Sequence, residues 1–579
     1  MFFAGGECGA YLCLKSPFRE KLITTDFTGD TDRMAKRVSV FFGIFMVFMF
    51  VTVLRIFDVT TSTGLAETAK EQHNMKITLA STRGTVYDCK LDALVSNGAD
   101  EYYAAVTPGA RSAAALSTVF SGEKMDGICK MLEQGSPFAV KLPRKITAEG
   151  IDVFTVKKRY AEKQQAAHVI GYLNSNGEGA AGVEKAFDSR LTDNQGKISV
   201  EYNVDAVNNL LKGEERKIND TSYLSKSGVV LTLDKTIQGI AEDAADKYLT
   251  KGAVIVARVP TCELRAVVSR PDFSPDNVAG VLSSSDAPLL NRAFSAYSVG
   301  SVFKLVTAAS ALESGVSPDF EYTCTGSENV DGRDFHCYNG ESHGKENMEE
   351  AIANSCNTYF INLAQHIEIS VLLKTAKSLG FGRTFELAPN MNSDGGELPS
   401  AGELSASARA LANFSFGQGN LTATPLQVTA MVNAIASGGQ FYEPSLYEGF
   451  VNDKLKYTET AEKKEGTKAI SEKTAKLLMK FMKASVEHGT SVKAKPEKGG
   501  AGAKTATAQT GKYDDGVEIN NSWITGFFPY ENPQYVITVF SEDGVSGGSK
   551  CGPAFKAIAD GIYNYENGGE GSSAQTTDN

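Results

Sequence analysis

Three short motifs in this chain contain the residue types that acyl transfer needs. They are SVFK from Ser301, SCN from Ser355 and KTA from Lys504. A serine hydroxyl is a weak nucleophile near neutral pH, so it needs a neighbouring base, a relay for the proton and donors for the developing oxyanion. We therefore predict a serine acyltransferase centre with Ser301 as nucleophile and the other groups supplied by Lys304, Ser355, Asn357, Lys504, Thr505 and Thr507.

Lys304 is the natural candidate for the base. A bend precedes Ser301, and the following residues predict a helix that ends near Gly315. Side chains three positions apart share a helix face, so Lys304 can reach the Ser301 hydroxyl, while the free N–H groups of the helix start favour an anion. An exposed lysine has a pKa of about 10.4, so this role requires burial, or a nearby cation such as Lys504, to lower it.

Each motif residue also has an ordinary structural interpretation. The Ser-x-x-Lys spacing recurs at 121–124 and 342–345 without supporting motifs, so it is a weak signal alone. Ser355 could cap the helix that follows it, Asn357 could close a turn, and Lys504 could be a solvated charge. The order and spacing of all three motifs favour the catalytic interpretation.

Length and periodicity predict the elements that must position these residues. A chain of 579 residues exceeds what one core usually organises, so we expect two or more domains. GVVLTL from Gly228 predicts a strand, and residues 235–250 predict an amphipathic helix. AVIVAR from Ala253 and ELRAVVS from Glu263 predict a hairpin, so the domain is α/β or α+β. We place KTA in a segment before two strands and expect Trp523 to pack in the sheet nearby.

One segment is long and apolar enough to cross a bilayer. Val38 to Leu54 carries no charge, and Arg33, Lys36 and Arg37 precede it. The positive-inside rule then places the amino terminus in the cytoplasm and the rest of the chain outside the cell. A buried core helix and a cleaved signal peptide are the alternatives. Because residues 1–33 mix both charges, we also hypothesise a mis-called start, with translation beginning at Met34.

The composition excludes several other functions. The net charge is −11, and charged residues of both signs are dispersed along the chain, so the composition does not indicate a nucleic-acid-binding protein. A phosphate-binding glycine loop and an HExxH signature are both missing from the sequence, so we predict no cofactor and no metal.

A group of cysteines and histidines lies close together along the chain between the first two motifs: Cys324, His336, Cys337 and His343. Cys356 lies inside SCN. Free thiols, a Cys324–Cys337 disulfide and a poorly spaced zinc site remain open.

Taken together, the motifs and their flanking segments resemble the penicillin-binding proteins, whose motif set is a known catalytic signature. RGTVYD from Arg83 and AAHVIGYLNSNGEGAAGVEKAFDSRL from Ala166 resemble the pedestal of class B, the monofunctional transpeptidases. Four further segments resemble the catalytic domain of that class. They are LTLDKTIQ from Leu231, NRAFSAYSVGSVFK from Asn291, GQGNLTATPLQV from Gly417 and NNSWITGFFPYENPQYVITV from Asn520.

The resemblance implies an α/β (α+β) penicillin-binding transpeptidase fold, an antiparallel sheet flanked by helices, with an N-terminal membrane helix and an irregular, mostly-β pedestal. The domains expected from this are a cytoplasmic N-terminus at 1–37, a transmembrane anchor at 38–57, a pedestal at 58–226, a transpeptidase domain at 227–567 and a disordered tail at 568–579.

The resemblance also implies a role for each site residue. Ser301 would attack the carbonyl between the two D-alanines of a peptidoglycan stem peptide, and Lys304 would take the serine proton. Ser355 would pass a proton to the leaving amine, while Asn357 would hold Lys304 and the substrate amide. Backbone N–H groups of Ser301 and Thr507 would form the oxyanion hole. The substrate carboxylate would be bound by Lys504, Thr505 and Thr507, beside Ala506.

Partners follow from the same resemblance. They are stem peptides ending in D-Ala-D-Ala, β-lactam antibiotics that mimic them, a separate membrane glycosyltransferase and wall-assembly proteins. Two departures from the family pattern are Val299 before the serine motif and Ala506 in place of glycine, whose methyl group could narrow the donor site. A D,D-carboxypeptidase, a β-lactam sensor and a silent scaffold are the alternatives. Roles in division, elongation and sporulation remain open.

Overall fold

The structure is a computed structural model that describes residues 30–61, 74–205, 210–211, 216–220, 223, 225–514, 516–542 and 546–568. The chain divides into two compact units, one of residues 1–75 with 203–211 and one of residues 76–202 with 212–579. The predicted domain boundaries stay predictions. Most of the segment before Met34, and the tail after Gly568, lie outside the described residues.

The described part of the first unit is dominated by one helix, α1 (Asp30–Thr61). Its stretch from Arg33 to Thr61 is long and apolar enough to cross a membrane. The apolar side chains along it are exposed, which contradicts the alternative of a buried core helix. α1 contains the predicted anchor and continues beyond residue 57, and its composition is that of a membrane anchor.

The N-terminal part of the second unit corresponds to the predicted pedestal. Its strands are β1 (Asn74–Ser81), β2 (Thr85–Tyr87), β3 (Asp100–Val106), β4 (Phe138–Leu142), β5 (Ile151–Lys157), β6 (Lys197–Asn203) and β7 (Lys217–Asn219). Its short helices are α2 (Ala110–Leu116), α3 (Glu123–Glu133), α4 (Ala167–Ile170), α5 (Gly182–Ala186) and α6 (Asp188–Asp193).

Buried ion pairs join the two segments that resemble a class B pedestal. Arg83 Nε lies 3.3 Å from a carboxylate oxygen of Glu184, and its Nη2 lies 2.8 Å from Asp188 Oδ1. Arg159 bonds the other Glu184 oxygen at 2.5 Å. Because a buried carboxylate needs paired charges, Arg83 and Glu184 depend on each other.

The C-terminal part of the second unit begins with β8 (Gly228–Leu231), α7 (Lys235–Tyr248), β9 (Gly252–Arg258), β10 (Leu264–Arg270) and β11 (Tyr297–Ser298). Then follow α8 (Lys304–Glu313), β12 (Tyr322–Cys324), β13 (Ser327–Val330), β14 (Arg333–His336), β15 (Gly344–Glu346), α9 (Met348–Asn354), α10 (Asn357–Ala364), α11 (Ile369–Ser378), β16 (Glu386–Ala388), β17 (Met391–Asn392), α12 (Ala401–Ala406) and α13 (Ala408–Ser415). The remainder is β18 (Thr422–Ala423), α14 (Pro425–Ala436), β19 (Gln440–Phe441), β20 (Tyr447–Val451), β21 (Tyr457–Thr460), β22 (Thr467–Lys468), α15 (Glu472–Glu487), β23 (Gly502–Asp514), β24 (Val517–Phe528), β25 (Tyr535–Ser541), α16 (Gly547–Lys550) and α17 (Gly552–Glu566).

A five-stranded antiparallel sheet organises this part, in the order β10-β9-β25-β24-β23. Every residue of β25 is buried, because helices pack on both faces: α7 and α17 on one, α14 and α15 on the other. The predicted strand β8 and the predicted β9–β10 hairpin are confirmed. The helix predicted to end at 250 ends at Tyr248.

The KTA motif lies in β23, and the two strands β24 and β25 follow it, as the sequence predicts. Lys504 pairs with Thr525, and Ala506 pairs with Trp523 in β24. β23 is the last strand in the order of this sheet, so one of its backbone edges has no strand partner within the sheet. The motif is therefore carried by a rigid element that still has hydrogen-bonding groups available for a ligand.

Candidate active site

Ser301 lies in a single 3₁₀ turn, Gly300–Phe303, directly before α8. This agrees with the prediction that Ser301 lies at a helix N-terminus, and the bend predicted before it includes Gly300, whose φ is +64°. The Gly300 N–H donates to the Gly417 carbonyl at 2.9 Å. A Cβ at Gly300 would lie 3.0 Å from that of Ala508 and 3.1 Å from the Thr507 carbonyl. The turn that carries the serine is thereby held against β23.

Lys304 contacts the serine from the first residue of α8. Its Nζ lies 2.9 Å from Ser301 Oγ, 2.7 Å from Asn357 Oδ1 and 2.6 Å from the Ser355 carbonyl. The side chain is fully buried. Burial lowers the pKa of Lys304 to about 8, although nearby Cys356, Cys337 and Glu346 partly oppose this shift. The condition that the sequence set for a lysine base is met.

Ser355 joins the two lysines. It ends α9 in the left-handed conformation, with φ +60° and ψ +38°. Its Oγ lies 3.2 Å from Lys304 Nζ and 2.9 Å from Lys504 Nζ. The alternative that Ser355 caps the next helix is wrong, because the cap of α10 is Cys356, whose sulfur accepts the Tyr359 N–H at 3.4 Å. The serine hydroxyl is thus free for the site.

Asn357 is the first residue of α10, so it does not merely close a turn. Its side-chain oxygen accepts from Lys304 Nζ, and its Nδ2 donates to the His336 carbonyl at 2.8 Å. Both ends of the amide are therefore fixed, and the orientation follows from the identity of the two partners. Asn357 holds Lys304 in place and ties the SCN motif to the last residue of β14.

Lys504 is fully buried, so its interpretation as a solvated charge is wrong. Its Nζ donates to Ser355 Oγ and to the Thr505 carbonyl, both at 2.9 Å. Burial, and then the charge of Lys304, keep the pKa of Lys504 well below its usual value. Two buried lysine amines of lowered pKa thus lie on either side of one serine hydroxyl.

The threonines of β23 face the other side of the strand. Thr505 Oγ1 donates to Thr490 Oγ1 at 2.8 Å, and Thr507 Oγ1 accepts the Gly547 N–H at 3.4 Å. Thr490 follows α15 and belongs to no motif, so it could not be predicted as a site residue. Thr507 is only partly buried, unlike Thr505. These contacts place Thr507 at the accessible end of the motif.

Ala506 does not project into open space. It is 3% exposed and belongs to the core cluster that includes Trp523, Val302 and Ala508. Trp523 is fully buried, as expected, and its indole N–H donates to the Ser298 carbonyl at 3.0 Å. The methyl group that departs from the family pattern therefore fills core volume behind the motif.

The arrangement can carry out acid–base chemistry on a serine. Polar contacts run from Ser301 through Lys304 and Ser355 to Lys504 without a gap longer than 3.2 Å. A neutral amine at Lys304 can accept the Ser301 proton, and the Ser355 hydroxyl can donate one elsewhere. The structure brings all five predicted catalytic residues together from three separated segments of the chain.

The cysteines beside this site are not bonded to one another. Cys324 Sγ lies 3.7 Å from Cys337 Sγ, whereas a disulfide needs about 2.05 Å. The disulfide alternative is therefore wrong for this structure. His336 contributes only its carbonyl to the site, and the partner that the sequence cluster omitted is Cys356, whose sulfur lies 3.8 Å from that of Cys337.

Comparison with known proteins gives consistent matches. Residues 252–560 match the penicillin binding protein transpeptidase domain. Stage V sporulation protein D of Bacillus subtilis is 31% identical over 393 residues, which are 64% of this chain and 58% of that protein. Peptidoglycan D,D-transpeptidase PbpA of Mycolicibacterium smegmatis is 26% identical over 442 residues, 70% of this chain and 84% of that protein.

The match thus spans less than two thirds of the length of the Bacillus protein. Among solved structures, penicillin binding protein 3 of Mycobacterium tuberculosis complexed with aztreonam superposes with a TM-score of 0.62 at 22% identity, covering 85% of this chain and 97% of that one. This likeness shows the fold.

Proposed function

Because the chain belongs to the penicillin-binding protein transpeptidase family, and to its class B branch, we propose that it is a peptidoglycan D,D-transpeptidase acting through an acyl-enzyme on Ser301. The observation that carries the proposal is the buried contact between Ser301 Oγ and Lys304 Nζ, at 2.9 Å. A serine beside a buried lysine of lowered pKa has the base that nucleophilic attack requires.

In the first half-reaction, Ser301 Oγ attacks the carbonyl carbon between the two D-alanines while its proton passes to neutral Lys304. The backbone N–H groups of Ser301 and Thr507 stabilise the oxyanion of the tetrahedral intermediate. Collapse breaks the C–N bond, and the leaving amine takes a proton through Ser355. D-Alanine departs, and the donor peptide stays as an ester on Ser301.

In the second half-reaction, an amine of a neighbouring stem peptide attacks this ester. Its proton returns through the same groups, a new amide forms and Ser301 is released. The donor carboxylate is held by Lys504, Thr505 and Thr507, beside the unpaired edge of β23. The ammonium of Lys504 favours an anionic substrate end, and a β-lactam places its carboxylate and strained amide in the same positions.

The membrane helix completes this proposal. α1 would anchor the chain with its amino terminus in the cytoplasm and its catalytic part on the wall side, where stem peptides are found. A crosslinking enzyme of this kind acts on strands made elsewhere, so we propose a separate membrane glycosyltransferase and wall-assembly proteins as partners.

Acylation of the full chain in detergent by a fluorescent penicillin tests the nucleophile. We expect one covalent label per chain, lost in Ser301→Ala and kept in Ser121→Ala, which removes a serine with the same spacing to a lysine. Intact mass measurement locates the adduct. A folded wild-type chain that takes no label would refute the proposal.

A second assay separates transfer from hydrolysis. The enzyme is given a disaccharide stem peptide ending in D-Ala-D-Ala together with an acceptor stem peptide. We expect released D-alanine to be matched by crosslinked product. Release of D-alanine without crosslinks would make the enzyme a carboxypeptidase and contradict the transferase assignment.

A further inference from the structure

Four ligand-bearing side chains converge next to the catalytic residues without taking part in their contacts. The ligand atoms of Cys324, Cys337, His343 and Cys356 all lie within 4.8 Å of one another. The three cysteines are buried, and His343 is largely buried. Such a concentration of sulfur and imidazole in an interior is unusual unless the groups share a ligand.

The spacing of these atoms is that of a tetrahedral metal site. Two sulfur pairs lie 3.7 and 3.8 Å apart, and Cys324 Sγ lies 3.4 Å from His343 Nδ1. Tetrahedral zinc with bonds of about 2.3 Å to sulfur and about 2.0–2.1 Å to nitrogen gives separations of about 3.8 Å and about 3.6 Å. We propose that Cys324, Cys337, His343 and Cys356 bind one Zn²⁺ ion as a closed structural site.

Backbone donors already surround the sulfur atoms. The Gly326 N–H donates to Cys324 Sγ and the Tyr359 N–H to Cys356 Sγ, each at 3.4 Å. The first turn of α10 also directs the N–H groups of Asn357 and Thr358 at Cys337. Metal-bound thiolates are commonly stabilised by donors of this kind.

A buried carboxylate supplies a second, independent observation. Glu346 is 2% exposed, and its Oε2 has no hydrogen-bond partner in the described part of the chain. That oxygen lies 3.9 Å from His343 Nδ1, while the other oxygen accepts from Asn354 at 2.7 Å. An interior carboxylate needs a cation nearby, and an ion bound by the four side chains would supply that charge.

The fold explains why the sequence spacing predicted no metal. In the ribbon of β12 and β15, Cys324 pairs with Gly344, which brings it beside His343. Cys337 follows β14, and Cys356 is the cap of α10. The ligands therefore come from a folded ribbon, a hairpin and a helix start, and the short spacings of zinc fingers do not apply.

The ion would fix two segments that line the active site, the one around Cys337 and the one around Cys356. Cys356 lies between Ser355 and Asn357, and Cys337 follows His336, whose carbonyl accepts from Asn357. A metal that joins Cys337 to Cys356 fixes the hairpin to the segment that carries the proton relay. This consequence rests on the proposed function, whereas the binding of zinc does not.

The test measures metal in the full chain, purified in detergent without chelators. Mass spectrometry of the metals should find about one zinc ion per chain. In Cys324→Ser and His343→Ala the zinc content per chain should fall by at least about tenfold. His343→Cys should retain the ion as a four-cysteine site. Cys262→Ser, which removes a buried thiol elsewhere, is the matched control and should retain it too.

A second readout needs no variant. Replacing the metal with Co²⁺ in the wild-type chain should give sulfur-to-cobalt charge-transfer bands and the visible absorption of tetrahedral cobalt. Absence of both zinc and a cobalt spectrum would overturn the proposal. So would zinc that persists in Cys324→Ser, or a Cys324–Cys337 disulfide in the purified chain.

A third experiment tests whether the zinc ion positions the segment that carries Ser355 and Asn357. Removing zinc from the wild-type chain should slow acylation of Ser301 about tenfold or more, and adding zinc should restore it. Unchanged acylation after zinc removal would overturn the positioning role and leave the metal site standing. A zinc-loaded, folded chain that is never acylated would refute the proposed function instead, so the failures can be told apart.

Discussion

The rate of acylation of Ser301 should rise with pH and level off above about pH 8. Lys304 must be neutral before it can accept a proton, so the active fraction grows as pH rises through its pKa. Burial lowers that pKa to about 8 from 10.5. At pH 7 roughly one tenth of Lys304 is then neutral, roughly 300-fold more than for an exposed lysine.

Several charged groups around Lys304 enter this expectation. Lys504 lies across the Ser355 hydroxyl, and Cys356, Cys337 and Glu346 raise the pKa of Lys304. The assay is rapid mixing of the chain with a chromogenic β-lactam from about pH 6 to about pH 10, a window that brackets the pKa. Circular dichroism at each pH checks that the protein stays folded.

Lys304→Met separates this lysine from other titrating groups. It should lower the rate by about a hundredfold to ten-thousandfold, the usual contribution of a general base, and remove the rise near pH 8. A wild-type rate that does not change across the window would refute the reasoning. So would a midpoint near 10.5, or a midpoint near 8 that persists in the variant.

Three further substitutions have distinct expected results. Lys504→Met should slow the acylation of Ser301. It should also raise the free energy of unfolding by about 1 kcal/mol or more, because it removes a buried charge. A lower melting temperature would contradict the expected gain in stability. Ala506→Gly should lower the free energy of unfolding, measured in urea, by about 1–2 kcal/mol, because it removes a buried methyl group and frees the backbone. It should change the rate of acylation by no more than about twofold. A large gain in that rate would show that the methyl group narrows the site. Asn357→Ala should slow acylation about 10- to 100-fold in the same rapid-mixing assay, because Lys304 loses an acceptor that orients it, and an unchanged rate would argue against that role.

The relation between Ser301 and Lys304 could be predicted from the sequence because local rules govern it. The three-residue spacing from Ser301 to Lys304 survives the change from an α-helix to a 3₁₀ turn, since both place the side chains on one side. The β9–β10 hairpin and the long apolar helix follow from periodicity in the same way. Each of these features depends on residues close together along the chain.

Features that depend on distant residues could not be predicted this way. KTA contains one threonine and one alanine, which suit a strand or a loop, and its place in β23 depends on pairing with Trp523 and its neighbours in β24. Ser355 looked like a helix cap because serine prefers that position, but the sulfur of Cys356 occupies it. The cysteine cluster forms only when a ribbon and a helix start meet.

The hydrogen bonds of Lys304 also indicate which way its proton moves. The two shortest contacts of its Nζ go to the Ser355 carbonyl and the Asn357 amide oxygen, at 2.6 and 2.7 Å. Both atoms can only accept, so they take the two hydrogens of the neutral amine. The remaining lone pair then faces the hydroxyls, and Ser301 Oγ, at 2.9 Å, is nearer than Ser355 Oγ, at 3.2 Å. Lys504 meanwhile occupies an acceptor position on Ser355, which directs the Ser355 proton away from the lysines and toward a leaving group. The same geometry therefore orients the base toward the nucleophile and the relay toward the substrate.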